Sequence, residues 1–192
     1  YKTKLDEADI SDLNLSKGML KLLPGDKEDI ELTAIAYIAA NELVDPNGYY
    51  NESASYMIAD YDETPVNNAA YNMLLAASGD HEYDAANVEK LYKKADSFKE
   101  KAYLMTAMYL GGDKDKAKEY YREDVEDAFK EAKALSGETA YYIDEDSTGD
   151  SIENTAAALV AASVMQEPED EYFAVYVLEK ISDKNIYPLQ LM

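Results

Sequence analysis

The chain has 192 residues, 47% of them hydrophobic and 30% charged, which is enough to bury a core and excludes a low-complexity linker. Its 40 acidic residues against 18 basic ones leave a formal charge of −22, so no basic stripe exists to hold a nucleic-acid backbone or an anionic lipid surface. Cysteine is absent, and with it disulfides, thiolate nucleophiles and thiolate metal ligands.

The first predicted element is a short helix ending at Leu23, carried by Leu13, Leu15, Met19, Leu20 and Leu22 and closed by Pro24-Gly25. Asp26 and Asp29 place negative charge ahead of a clearer segment, in which Ile30, Ala34, Tyr37, Ile38 and Leu43 recur at helical spacing up to about Val44. A turn at Asp45-Pro46-Asn47-Gly48 follows, and Tyr56, Met57 and Ile58 mark a short helix within 49–64. Thr64 before Pro65 starts the next helix, with Val66, Ala69, Ala70, Met73, Leu74 and Ala77 as its apolar stripe and Gly79 as its stop.

Asp84 opens a short helix through Val88, Leu91 and Tyr92. Ser97 and Glu100 form an S-x-x-E capping box for the helix that runs to Leu110. Gly111-Gly112 ends it, and Asp113 starts a partner predicted to continue through Tyr120, Tyr121, Val125 and Phe129 to Leu135. Ser136-Gly137 is a break, and Ala140 to Ile143 carries the extended reading. Asp150 with Glu153 caps a helix over Ile152–Met165, and Glu167-Pro168 starts a last one containing Tyr172, Phe173, Val175, Tyr176 and Ile181. The sum is an all-α chain of about eight helices in antiparallel hairpins, forming an α/α toroid or a solenoid array and read as one helical domain over 1–192. No strict period of about 34 residues marks a tetratricopeptide array.

The sharpest local motif is Asp144-Glu145-Asp146-Ser147-Thr148-Gly149-Asp150, which has the opening of a calcium loop; its twelfth position, however, is Thr155 rather than a bidentate Glu. Glu153 falls two places early, so the segment reads as a solvated acidic loop. His81, the single histidine, lies in a Gly-Asp-His-Glu loop and reads as a surface residue. Gly111-Gly112-Asp113-Lys114 lacks the spacing of a phosphate loop and reads as a hairpin turn. Tyr103, Met105, Met108 and Tyr109 form a stripe that reads as core packing ahead of a ligand-lining face. Asn14 and Asn51 fit glycosylation sequons, relevant only in a eukaryotic secreted chain. With 40 acids no carboxylate pair can be nominated, and the sequence assigns no catalytic, cofactor-binding or metal-ligating residue. The 18 tyrosines, against three phenylalanines and no tryptophan, fit rings buried at the core edge with hydroxyls reaching polar partners.

Three segments together resemble one family: Ala69 to Gly79 (AAYNMLLAASG), Lys101 to Ala117 (KAYLMTAMYLGGDKDKA) and Asn154 to Val160 (NTAAALV). The pattern is similar to the helical, thioester-domain-like part of bacterial alpha-2-macroglobulin-like surface proteins, and it covers roughly residues 28–192. Ile186-Tyr187-Pro188-Leu189-Gln190 resembles the aromatic-x-x-Gln segment before a further toroid helix, without the usual Trp. The resemblance implies an α/α toroid within a large extracellular or cell-envelope protein whose partners are neighbouring domains or other proteins. The family's thioester joins a Cys sulfur to a Gln side chain, and this chain has no Cys, so covalent capture falls outside it. Tyr1 in place of Met, and the apolar end Ile186, Tyr187, Leu189, Leu191 and Met192, read as a piece of a longer protein. The expectation is therefore a non-catalytic contact module. A tetratricopeptide-like or carbohydrate-uptake scaffold with a concave groove, and an α/α-barrel glycan-cleaving enzyme, are the alternatives.

Overall fold

The computed structural model describes residues 19–20, 29–43, 61–127, 133–134, 141–143 and 148–182. Among them are seven α-helices: α1 (Ile30–Leu43), α2 (Pro65–Ser78), α3 (Ala85–Tyr92), α4 (Phe98–Leu110), α5 (Lys114–Tyr120), α6 (Thr148–Met165) and α7 (Asp170–Ser182). The described extended structure is a two-residue antiparallel ladder, β1 (Lys133–Ala134) with β2 (Tyr141–Tyr142), in which Lys133 faces Tyr142 and Ala134 faces Tyr141. The all-α reading holds. The first short helix, the segment over 49–60 and the tail 185–192 lie outside the described residues.

The helix starts follow the sequence closely because short polar side chains answer the free N–H groups of each first turn. Asp29 accepts from Leu32 N–H, Thr64 from Asn67, Asp84 from Ala86 and Asn87, and Ser97 from Glu100. Asp113 makes no such bond, so α5 begins without a side-chain cap. At the far end of α2, Gly79 takes φ 66°, and the N–H groups of Gly79 and Asp80 return to Ala76 and Leu75. Helix α6 ends the same way without glycine: Gln166 sits at φ 58°, with Glu167 N–H bonded to Ala162 C=O.

Packing is organised around α4. Every residue from Ala102 to Met108 is buried, so this helix is apolar all round rather than amphipathic. Helices α2, α3, α5 and α6 pack against it, while α1 packs on α2 and α7 on α6. One apolar cluster joins Ile30, Ala34 and Tyr37 of α1 to Met73 and Leu74 of α2, Leu104 and Met108 of α4, Ala158 and Met165 of α6 and Phe173 of α7. Two buried threonines fasten non-helical chain to helices. Thr33 donates to Asp29 C=O and accepts from Leu20 N–H, and Thr155 donates to Ser151 C=O and accepts from Ile143 N–H.

Three expectations need correction. The helix after Gly112 does not run to Leu135: it stays α-helical only to Tyr120, widens into a π-helical turn over Tyr121–Glu126, and Lys133–Ala134 is extended. The wider turn lets Tyr121 and Val125 both stay buried. Helix α6 begins at Thr148, so Asp150 lies inside its first turn and is not its cap, and Glu153 is drawn into a contact with α4 instead. The last helix starts at Asp170, two residues beyond Pro168, because left-handed Gln166 and the turn after it occupy the intervening chain. The extended reading of Ala140 to Ile143 holds at Tyr141–Tyr142.

Gly111 gives a test of this packing. A Cβ there would overlap the ring of Tyr83, whose hydroxyl donates to Ala107 C=O across a 3.1 Å bond. Gly111→Ala is expected to expel that ring and cost about 1–3 kcal/mol, read as a lower urea midpoint at unchanged slope. At Gly79 an added Cβ meets nothing, so Gly79→Ala should act through backbone strain alone and cost about 1–2 kcal/mol.

Candidate functional site

The polar chemistry gathers around the first turn of α4, where Lys99, Glu100 and Lys101 follow one another. Successive helical residues point about 100° apart, so three charges in a row face three different neighbours. Lys99 turns to α1 and α6, where its Nζ lies 2.6 Å from Glu31 Oε2 and 3.1 Å from Glu153 Oε2. Tyr103, one turn further along, donates to the same Glu31 oxygen at 3.1 Å. The starts of α1 and α4 and the second turn of α6 are thereby tied together by one ammonium, one phenol and two carboxylates. Burial works against the charge on Lys99, and the hydrogen bonds and fields of Glu31 and Glu153 outweigh it, so its pKa is raised. Only 15% of the Lys99 side chain is exposed, which makes this tie stronger than a solvated surface pair.

Lys101 turns the other way. Its Nζ is 3.2 Å from Asp124 Oδ1, while Tyr92 donates a short hydrogen bond to Asp124 Oδ2. Tyr92 stacks on Tyr120 with ring centroids 4.0 Å apart, and the Lys101 ammonium lies 5.8 Å above the Tyr92 ring. The π-helical turn is what delivers Asp124 to this place. Beyond it, Tyr121 donates to Glu169 at 3.2 Å, and Lys118 binds Glu167, joining α5 to the turn between α6 and α7. On the outer side Glu89 lies between Lys116 and Lys93, whose hydrogen bonds hold its carboxyl down at about 2 against the opposing effect of burial.

Glu100, the middle charge, enters no ion pair or side-chain hydrogen bond with another described residue. It stands at a recess of about 180 Å³ between α2, α3 and α4, lined also by Pro65, Asn68, Ala69, Leu91 and Leu104. That is below the roughly 300–1,000 Å³ of small-molecule sites.

The residues singled out from sequence separate cleanly. Tyr103, Met105 and Met108 are buried in the core, as the packing reading has it, and Tyr109 is half-buried with the ammonium groups of Lys114 and Lys118 at 5.0 and 6.0 Å from its ring. Gly111-Gly112-Asp113 is the turn between α4 and α5, with Gly112 at φ 100°. His81 is 70% exposed, 3.3 Å from the Asp80 carboxylate. Asp144 to Ser147 lie outside the described residues, as do Asn14 and Asn51. Thr148, Gly149 and Asp150 are helical, which is not the geometry a calcium loop needs at its fifth to seventh positions, and the Thr155 hydroxyl is committed to backbone partners. Among the described residues no three His, Cys, Asp or Glu side chains stand close enough to hold a metal ion. Sequence reasoning missed Glu31, Lys99, Lys101, Asp124 and Glu169. Each is an ordinary helix-surface charge until tertiary contacts bring it beside a tyrosine, and no local pattern marks it.

The arrangement holds protons and charges in place. Burial pushes the phenols of Tyr61 and Tyr83 up to about 12, with nearby charge adding to the effect. Tyr92, Tyr103 and Tyr121 are raised further, by burial first and then by Asp124, Glu31 and Glu169. All five are therefore neutral donors at ordinary pH, unsuited to act as phenolate bases. A phenol raised in the folded state contributes stability that is complete below its unfolded value of 10.0 and is lost as pH climbs through the folded value. An alkaline titration followed by phenolate absorbance and circular dichroism should show exposed tyrosines ionising near pH 10, with unfolding as pH rises toward 12 and beyond. Tyr103→Phe should cost about 1.5–3 kcal/mol, measured by urea unfolding at neutral pH, and should narrow that alkaline loss. Compared with known protein families, curated proteins and solved structures, the chain matches none.

Proposed function

We propose that this chain is a non-catalytic helical module of a large bacterial cell-surface protein. It acts through interdomain or protein–protein contacts, in an architecture of the alpha-2-macroglobulin-like kind. The observation that supports this most is the use made of α4. Helices α2 and α6 stack on it, α3 and α5 cover it, and the phenols and ammoniums around it are bonded to acids of the same chain. A row α2, α4, α6 alternating with α3 and α5 is the contact pattern that a toroid or a solenoid of hairpins requires. With its described core-edge cations engaged internally, the module meets partners with an acidic exterior, which favours basic surfaces.

The described residues include no helix long and apolar enough to cross a membrane, in keeping with contact from outside the bilayer. Carboxyl-selective dihydrazide crosslinking of the parent protein on intact bacteria tests the role. Links from Glu119, Glu171 or Glu179 to neighbouring domains or to other surface proteins are expected, and links found only after lysis would overturn the surface placement. X-ray scattering of the isolated chain tests the architecture. Closure into a compact toroid should give a radius of gyration of about 16 Å, the value for a globule of this length. A clearly larger value would favour the open scaffold with a concave groove.

A further inference from the structure

Of the three charges in the first turn of α4, Lys99 and Lys101 are matched inside the chain and Glu100 is not. The positive end of the helix dipole favours a carboxylate at this third helical position, which accounts for its charge. It does not account for the recess beside it, whose walls of Pro65, Ala69, Leu91 and Leu104 are apolar and whose rim carries only Glu100 and Asn68. An apolar slot of about 180 Å³ with one carboxylate at its mouth has the complementary shape and charge of a long aliphatic side chain ending in a cation. The floor is firm. Leu104 and Ala69 are fully buried in the core, and Asn68 is held by the Tyr61 hydroxyl at 2.9 Å.

We propose that this recess receives a single arginine or lysine side chain from a basic segment of a partner protein, its alkyl stem against Ala69, Leu91 and Leu104 and its cation on Glu100. Arginine fits better, because its planar fork can meet both carboxylate oxygens. The net charge of −22 draws basic segments toward the module from a distance, and the recess gives them a point of registration.

The identity of the guest as part of a protein rests on the contact-module reading; the chemistry of the recess does not. The test is a methyl-resolved NMR titration of the full chain with a capped glycine–arginine–glycine tripeptide, and with the same peptide carrying norleucine in place of arginine. Saturable shifts of the Ala69, Leu91 and Leu104 methyls are expected with the arginine peptide and much weaker ones with norleucine. Glu100→Gln should weaken the arginine peptide by about three- to fivefold, whereas Glu171→Gln, which removes equal charge from exposed α7, should leave it unchanged. Equal weakening by both substitutions, equal binding of both peptides, or shifts scattered without saturation would overturn the proposal. A peptide that binds as described while crosslinking finds no surface partner would refute the module's role and leave the recess standing; the converse result would do the reverse.

Discussion

Helix α4 has no face to give to water along its middle, and most of the structure follows from that. Seven consecutive buried residues, Ala102 to Met108, must be covered on every side, so four helices are recruited around one. The single hydroxyl in that stretch, Thr106, donates to Ala102 C=O at 2.7 Å and leaves nothing unsatisfied in the core. Charges are displaced to the ends of α4. At its first turn they become the means by which helices distant in sequence are aligned, Lys99 for α1 and α6 and Lys101 for the π-helical turn. Burial of α4 supplies the driving force, and the charged turn fixes the geometry in which that burial is complete.

An acidic chain faces a particular difficulty at such a core edge. Carboxylates near buried surface need donors, and acids outnumber cations by 40 to 18. The structure meets this with phenols. Tyr92, Tyr103 and Tyr121 keep their rings in the core and give their hydroxyls to Asp124, Glu31 and Glu169. A neutral donor bonded to a charged acceptor stabilises by about 1.5–3 kcal/mol without desolvating a second ion. The abundance of tyrosine and the absence of tryptophan find a physical account here: indole offers one donor on a ring too large for these narrow helix junctions, and phenylalanine offers none.

Helix starts were legible because capping is local. Thr64, Asp84 and Ser97 act within three residues of themselves, and their patterns read directly. The stripe of Tyr103, Met105 and Met108 was legible as core for the same reason. What eluded sequence reasoning depended on distant chain. Lys133 and Ala134 favour a helix by composition, yet pairing with Tyr141 and Tyr142 holds them extended. The Asp150 and Glu153 pair mimics a cap, but the Thr155 clasp on Ile143 lets α6 begin earlier and frees Glu153 for Lys99. The polar clusters were illegible for want of contrast, since any acid in so acidic a chain is an equally good candidate.

The π-helical turn over Tyr121–Glu126 has a consequence of a different order. Such a turn holds one residue more than an α-helix of the same height, and it commonly records a single insertion into an ancestral helix. Deleting any one residue within it would restore the ordinary pitch, swing whatever follows by about 100°, and carry Asp124 away from Tyr92 and Lys101. Descendants of this chain can thus vary freely in the side chains of that segment, but scarcely in its length. A relative shorter by one residue there would have to build its α3–α4 junction from different chemistry.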